Sequence, residues 1–463
     1  MIAACGTGMG ALACMLKELG FEVTGSDQNV YPPMSDFLRE KGIGLFKGYD
    51  AANLGHKPDL VIIGNAVSRG NVEAEAVIER GMPFCSMPQA LNHFVAKGKK
   101  QIVVTGTHGK TTTSSLVAHI LFHAGLDPSF MIGGIVKGFD SNYRIGKGSF
   151  MVIEGDEYDT AFFDKGPKFM HYTPDTAVIT GIEFDHADIF SDIDQIKGFF
   201  REFVDKIPES SLVMACAENK ILPEILEGAG CDIQYYGFAE NKMNTMSCNW
   251  SCRNLAPSAN GAVFNLITPE QRELVVKTPM MGSHNAMNIM AAFGAARRAG
   301  VPDDIILDAL AHFRGIRRRQ DIRGVRNNIT VMDDFAHHPT AVRETIAAVK
   351  PFVKEGRVVA VFEPRTNSSM RDIFQNDYPA SFLGADMVCV RKPSMLSKIP
   401  ENQRLSTEKL VADIAEMGID AHYFEDTDSI IEFLLISAKP GDLILVMSNG
   451  GFDMIHEKLL ERL

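Results

Sequence analysis

Hydrophobic positions in this chain gather into short continuous runs that stop at glycine or at acidic residues. Between them lie longer stretches in which apolar residues recur with helical spacing. Ile2–Cys5 is one such run, followed by a glycine-rich turn at Gly6–Gly10 and a helical stretch at Ala11–Leu19. Glu22–Gly25 and Asp59–Ile63 read as further strands, and the polar Lys97–Lys100 as a linker. Strands separated by helices predict βαβ units and a parallel sheet. A second part, residues 99–318, opens on the strand Ile102–Thr105, continues through Phe150–Ile153 and Thr176–Thr180, and carries the helix Asn285–Ala299. The third part, 319–463, repeats the first pattern: strand Ile329–Met332, helix Thr340–Val349, then strands Val358–Phe362, Met387–Val390 and Leu443–Met447. The expectation is an α/β chain of three domains, 1–98, 99–318 and 319–463, with doubly wound units at both ends.

Val103-Val104-Thr105-Gly106-Thr107-His108-Gly109-Lys110-Thr111-Thr112 is the most informative stretch. A strand runs into glycines, which let backbone N–H groups wrap a phosphate. Lys110 supplies a point charge, and Thr111 a hydroxyl for Mg²⁺. The helix Thr112–His123 then aims its N-terminal dipole at the same anion. The spacing departs from G-x-x-x-x-G-K-[ST], since Val104 stands where that pattern has its first glycine. The strand–loop–helix context still makes this a phosphate loop, and the central part a P-loop ATPase-like domain with a mostly parallel sheet.

Two acidic clusters follow strands, Glu154-Gly155-Asp156-Glu157-Tyr158-Asp159 and Glu183-Phe184-Asp185-His186-Ala187-Asp188. In a parallel sheet both lie at the carboxyl edge, beside the phosphate loop. A single acidic residue there reads as a solvated loop. Two clusters downstream of a phosphate loop read as a cation site, with Thr111, Glu154 and His186 as candidate Mg²⁺ ligands. At the N-terminus, Gly6-Thr7-Gly8-Met9-Gly10 with Asp27 looks like a dinucleotide fingerprint. A nicotinamide-dependent oxidoreductase would leave the phosphate loop unexplained, whereas a nucleotide diphosphate group at this helix start accommodates both features.

Composition narrows the classes. Net charge is −12, which argues against a nucleic-acid or anionic-membrane partner. The eight cysteines form no CxxC pair, so they read as free thiols of a reducing compartment. No apolar run is long enough for a membrane span, and no secretory leader pattern opens the chain. The expected location is the cytoplasm.

Together the motifs resemble the Mur ligase superfamily over the whole chain. Gly106–Thr111 is similar to its ATP loop, and Glu154 and His186 to its Mg²⁺-binding positions. Ser283-His284-Asn285-Ala286-Met287-Asn288 resembles the segment whose His and Asn approach adenine. Phe313-Arg314-Gly315-Ile316-Arg317-Arg318-Arg319 resembles the one whose last Arg reaches the ATP phosphates. Asp333-Asp334-Phe335-Ala336-His337-His338-Pro339 resembles the C-terminal loop that closes over the nucleotide. The resemblance implies Rossmann-like outer domains and ATP bound by Gly106, Thr107, His108, Gly109, Lys110, Thr111, Thr112, His284, Asn285, Asn288, Arg319 and Asp334. Lys110, Glu154, His186 and Arg319 would be catalytic. A UDP-sugar would sit against Gly6, Thr7, Gly8, Met9, Asp27, Ser68 and Arg69, and a peptide against His338, Arg365, Asn367 and Asn449. The assembly expected is a monomer or weak homo-oligomer.

Two branches of the superfamily share the glycine start and the Asp-Asp-aromatic-x-His-His-Pro loop. One adds L-alanine to UDP-N-acetylmuramate. The other adds the murein tripeptide L-alanyl-γ-D-glutamyl-meso-diaminopimelate to the same sugar acid during peptidoglycan recycling. Tyr31-Pro32-Pro33-Met34-Ser35, Gly64–Asn71, Asp156–Lys165, Phe362–Ser369 and Ser448–Phe452 resemble the tripeptide branch. Thr366 and Ser369 stand where the alanine branch is expected to carry arginines. Only Met1–Cys5 precedes the glycines, so the first strand is expected to be cut short. Arg201 stands where some members carry a carbamylated lysine, and that modification is not expected.

Overall fold

A computed structural model describes residues 1–463 except 32–33, 188, 240–247, 260, 395 and 397–398. Pro32, Pro33 and Asp188, which belong to motifs named above, lie outside the described residues. The architecture is three-domain α/β, with one large, mostly parallel central sheet.

In the N-terminal part Thr24–Asp27 pairs in parallel with Gly44–Lys47, and Val61–Ile63 with Phe84–Ser86. Ile2 alone bridges the two pairs, against Ser26 on one side and Ile63 on the other. The expected strand Ile2–Cys5 is thus reduced to one residue, because Ala3 turns to φ 64° and the helix Thr7–Glu18 begins at once. Gly8 and Gly10 therefore lie inside that helix rather than in a turn. Glycine at position 10 admits Met34, whose sulfur would stand 3.0 Å from a Cβ there.

The central sheet has ten strands. Lys100–Thr105 lies between Phe150–Gly155 and Thr176–Ile179, parallel to both. Register places Val104 beside Glu154 on one side and Val178 on the other, so all three strands end together. These strands read as continuous apolar runs because helices cover the sheet; Val103, Val152 and Ala177 are fully buried. The helices Lys110–His123 and Ser283–Arg298 pack on each other over it. Gly294 lets the second helix lie close on the sheet: a Cβ there would stand 2.3 Å from Met214 Cε of the strand Leu212–Cys216. Outward, the sheet continues in parallel through Leu212–Cys216, Asp232–Phe238 and Trp250–Ser258, then turns antiparallel in Gly261–Ile267 and Glu273–Thr278.

The C-terminal sheet runs Asp321–Arg326, Ile329–Asp334, Leu443–Met447, Val358–Phe362, Met387–Arg391, Asp420–Phe424, with only the first pair antiparallel. Register sets Asp334 beside Met447 and Met447 beside Phe362. The loops 335–338, 363–369 and 448–451 therefore leave one common edge, and contacts of Thr340 and Ser368 place it against the carboxyl edge of the central sheet.

Candidate active site between the central and C-terminal sheets

The phosphate loop is set by two glycines with positive φ, Gly106 at 117° and Gly109 at 81°. A Cβ at Gly106 would stand 2.4 Å from Thr180 Oγ1, and one at Gly109 2.3 Å from Asn288 Oδ1. Thr107 N donates to Gly181 O at 2.8 Å. Lys110 Nζ folds back over the loop, donating to Gly106 O at 2.7 Å and Thr107 O at 3.2 Å. It also stands 2.7 Å from Glu157 Oε2. Burial works against its charge, but Glu157 and then Asp156 outweigh burial and hold the ammonium above its ordinary range. Thr112 is buried in the helix behind the loop.

Thr111 Oγ1 donates to Glu154 Oε1 at 2.8 Å, and Gly133 N to Glu154 Oε2 at 2.6 Å. Burial and then the charge of Asp156 push the Glu154 carboxyl above its usual range. A half-buried carboxylate and a hydroxyl within hydrogen-bond distance of each other are hard oxygen donors, and a cation would relieve the repulsion from Asp156. The pair therefore fits Mg²⁺. His186, with φ 55°, presents Nε2 at 3.2 Å to Glu157 Oε1. Glu157 thus joins His186 to Lys110, while Asp156 pairs with Lys168 at 2.8 Å. Burial lowers His186, but the bond to Glu157 and the charges of Glu157 and Asp185 leave it above its ordinary value.

The adenine-segment residues sit behind the loop. Thr113 Oγ1 donates to Asn288 Oδ1 at 3.2 Å, and Asn288 Nδ2 to Asn285 Oδ1 at 3.2 Å. Asn285 Nδ2 reaches Met281 O at 2.8 Å. His284 is lowered by burial, and its Nδ1 is buried without a hydrogen-bond partner. Arg319 Nη2 lies 3.5 Å from Thr111 Oγ1, and its guanidinium stands over the Phe335 ring at 4.7 Å. Arg318 donates to the carbonyls of Ser448, Asn449 and Gly450 at 2.6, 3.3 and 2.6 Å. Asp334 accepts from Gln320 N and Ala336 N, both at 2.8 Å, and so fixes the loop it starts.

A cavity of about 290 Å³ opens between the sheets, lined from the central side by Asp185 and His186 and from the other by His337, Arg365, Thr366, Asn367, Ser368 and Asn449. Three of the four expected peptide residues are there. His338 is not: it caps the helix Pro339–Val349 through Thr340 N and its ring faces His108, with centroids 4.7 Å apart. Its neighbour His337 lines the cavity instead. Asn449 Oδ1 is buried without a hydrogen-bond partner. Ser369 Oγ accepts from Arg365 N and Thr366 N, both at 2.9 Å, and so ties off the turn that presents Arg365. Despite burial, His186 and His337 hold the Asp185 carboxyl well below the usual range.

In the N-terminal part, Gly6 is the N-cap of the first helix and Thr7, Gly8 and Met9 its first turn. Asp27 accepts from Cys5 N and Asn29 N, both at 2.9 Å. Ser68 and Arg69 are exposed beyond the end of Val61–Ile63. Arg201 donates to Glu224 O and Glu227 O, on the helix-side surface. Glu157, Asp185 and Ser368 were not among the expected site residues. All three lie inside motifs already singled out, but nothing in a motif says which of several adjacent carboxylates or hydroxyls turns inward.

Three families cover the chain. The Mur ligase family catalytic domain matches residues 1–99, the Mur ligase middle domain 104–296, and the Mur ligase glutamate ligase domain 317–450. The UDP-N-acetylmuramate--L-alanyl-gamma-D-glutamyl-meso-2,6-diaminoheptandioate ligase of Escherichia coli is 42% identical over 461 residues, 99% of this chain and 96% of that one. The ligase of the same name from Haemophilus influenzae is 39% identical, covering 99% and 97%. The crystal structure of a murein peptide ligase from Psychrobacter arcticus superposes with a TM-score of 0.73 at 34% identity, covering 100% and 97%. With a phosphate loop, a facing acidic pair and a C-terminal sheet closing over both, this chain belongs to the Mur ligase family.

Proposed function

We propose that this Mur ligase joins the lactyl carboxylate of UDP-N-acetylmuramate to the amine of L-alanyl-γ-D-glutamyl-meso-diaminopimelate, consuming ATP, in cytoplasmic peptidoglycan recycling. The observation that carries the reading is the position of His186. It lines the acceptor cavity and, through Glu157, contacts Lys110 of the phosphate loop. ATP phosphates and an acceptor amine would therefore meet at one point between the two sheets.

A free carboxylate is a poor acyl donor because its leaving group is oxide. Transfer of the γ-phosphoryl group gives an acyl phosphate, which the amine attacks to form a tetrahedral oxyanion before phosphate leaves. Lys110 and Arg319 spread charge on the transferring phosphoryl group. Mg²⁺, held by Thr111 and Glu154 with His186 beside them, would supply further neutralisation of that charge. Closure of the C-terminal edge keeps water from the acyl phosphate. In the cavity, Arg365 offers a peptide carboxylate a bidentate partner, and Asn449 Oδ1 an acceptor for a peptide N–H. The small, mutually bonded Thr366 and Ser369 leave room for a tripeptide where arginines would narrow the pocket around a single amino acid.

The test is ADP release with acceptors supplied one at a time. Turnover is expected to need UDP-N-acetylmuramate and tripeptide together, with free L-alanine a much poorer acceptor. Efficient turnover of L-alanine and none of tripeptide would overturn the acceptor assignment and leave the ligase family untouched.

A further inference from the structure

One cluster at the domain junction is not used by this chemistry. His108 of the phosphate loop and Glu183 beyond the strand Thr176–Ile179 face His338 of the C-terminal domain, and one ligand atom from each lies within 4.8 Å of the others. It is the one group of three or more His, Cys, Asp or Glu side chains so arranged among the described residues. His108 Nε2 is 3.4 Å from Glu183 Oε2, buried, and makes no hydrogen bond. His338 Nδ1 is 3.7 Å from the same oxygen, and His338 Nε2 is also buried without a partner.

We propose that His108, Glu183 and His338 form a binding site for a borderline transition-metal dication of the Zn²⁺ type, distinct from the Mg²⁺ position at Thr111 and Glu154. Zn²⁺ bonds of about 2.0–2.1 Å in a tetrahedron set ligand atoms about 3.3–3.4 Å apart. The two spacings to Glu183 Oε2, 3.4 and 3.7 Å, are near that value, and the two histidine nitrogens lie within 4.8 Å of each other. Two imidazoles and one carboxylate suit zinc, cobalt or nickel rather than magnesium, which prefers an all-oxygen shell. Thr340 Oγ1 donates to Glu183 Oε2 at 2.8 Å, the kind of outer bond that orients a ligating carboxylate. His338 offers Nδ1 to the site. Nδ1 now accepts the long 3.2 Å cap from Thr340 N, which a cation would replace. A fourth position is left for water. Because Glu183 and His108 belong to the central domain and His338 to the C-terminal one, a bound ion pins the two edges together.

Cobalt(II) titrated into the full chain without nucleotide reads the site directly. Saturable binding of one ion per chain with the intense visible absorption of tetrahedral cobalt is expected, displaced by Zn²⁺ and not by a large excess of Mg²⁺. Glu183→Gln and His338→Gln, each checked for fold by circular dichroism, should weaken binding by about tenfold or more. No saturable binding, an octahedral spectrum, displacement by Mg²⁺, or unchanged affinity in both variants would overturn the proposal. The wild-type titration decides the matter even where a variant does not fold.

Discussion

At the phosphate loop three side chains are committed to neighbours: Lys110 to two carbonyls and Glu157, Thr111 to Glu154, and Asn288, packed against the loop, to Thr113 and Asn285. In the cavity between the sheets two polar groups keep spare capacity: Arg365 stands 3.8 Å from Glu363, and Asn449 Oδ1 has no hydrogen-bond partner. One region comes from a single contiguous stretch packed against glycine. The other is assembled from four loops on two sheets. A preorganised cradle suits a phosphate group that is the same in every turnover. Side chains with unused bonds suit an acceptor whose identity is the enzyme's distinguishing choice.

Lys110→Ala attacks the committed side and should have the largest effect. Ligation, followed as ADP release, is expected to fall at least ~100-fold, the scale for removing one preorganised electrostatic partner. A near-normal rate would break the comparison outright. Glu154→Gln keeps the shape and removes the charge beside Thr111. The Mg²⁺ concentration for half-maximal rate should rise roughly 10–100-fold; an unchanged Mg²⁺ dependence would move the ion toward Asp156 or Glu157. Arg365→Ala attacks the uncommitted side. Its Michaelis constant for tripeptide should rise about tenfold, from the ~1.5 kcal/mol at the low end of a charge-assisted bond, with those for ATP and the UDP-sugar unmoved. A parallel rise for ATP would show that the two regions are not separable.

The smallest effect concerns pH. Burial and the nearby His108 lower His338 from 6.5 to about 4 in the folded chain. The unfolded chain therefore takes up this proton first. Stability from His338 is complete above pH 6.5 and is lost as pH falls toward 4. Melting temperature should decline over that window by a few degrees, and less steeply in His338→Gln. Equal slopes would remove His338 from the cause.

Much of the fold was legible because strands covered on both faces are unmistakable in sequence. Val358–Phe362 and Leu443–Met447 have the same bounds in the sequence pattern and in the structure, each a solid apolar run bounded by polar positions. The antiparallel edge Trp250–Ser258 and Glu273–Thr278 is not legible in the sequence, since half its residues face water and its pattern is mixed. Ile2–Cys5 looks like a full strand in the sequence, because an apolar run does not reveal that Ala3 turns out of the sheet. At the site, a contiguous glycine-bounded motif announced the phosphate loop. His337 and His338 show the limit: neighbours in sequence, they face a cavity and a helix cap respectively, and side-chain direction in a loop follows from packing that one sequence does not display.

The grip of Arg318 on three successive carbonyls has a mechanical consequence. Arg318 and Arg319 are adjacent, so the hand that holds the Ser448–Gly450 loop and the finger that reaches Thr111 belong to one rigid joint. A swing of the C-terminal domain that displaced the Ser448–Gly450 loop would pull on Arg318 and, through the shared backbone, on Arg319 beside Thr111. Such a linkage would work like a crank, tying the position of Asn449 to that of the Arg319 guanidinium.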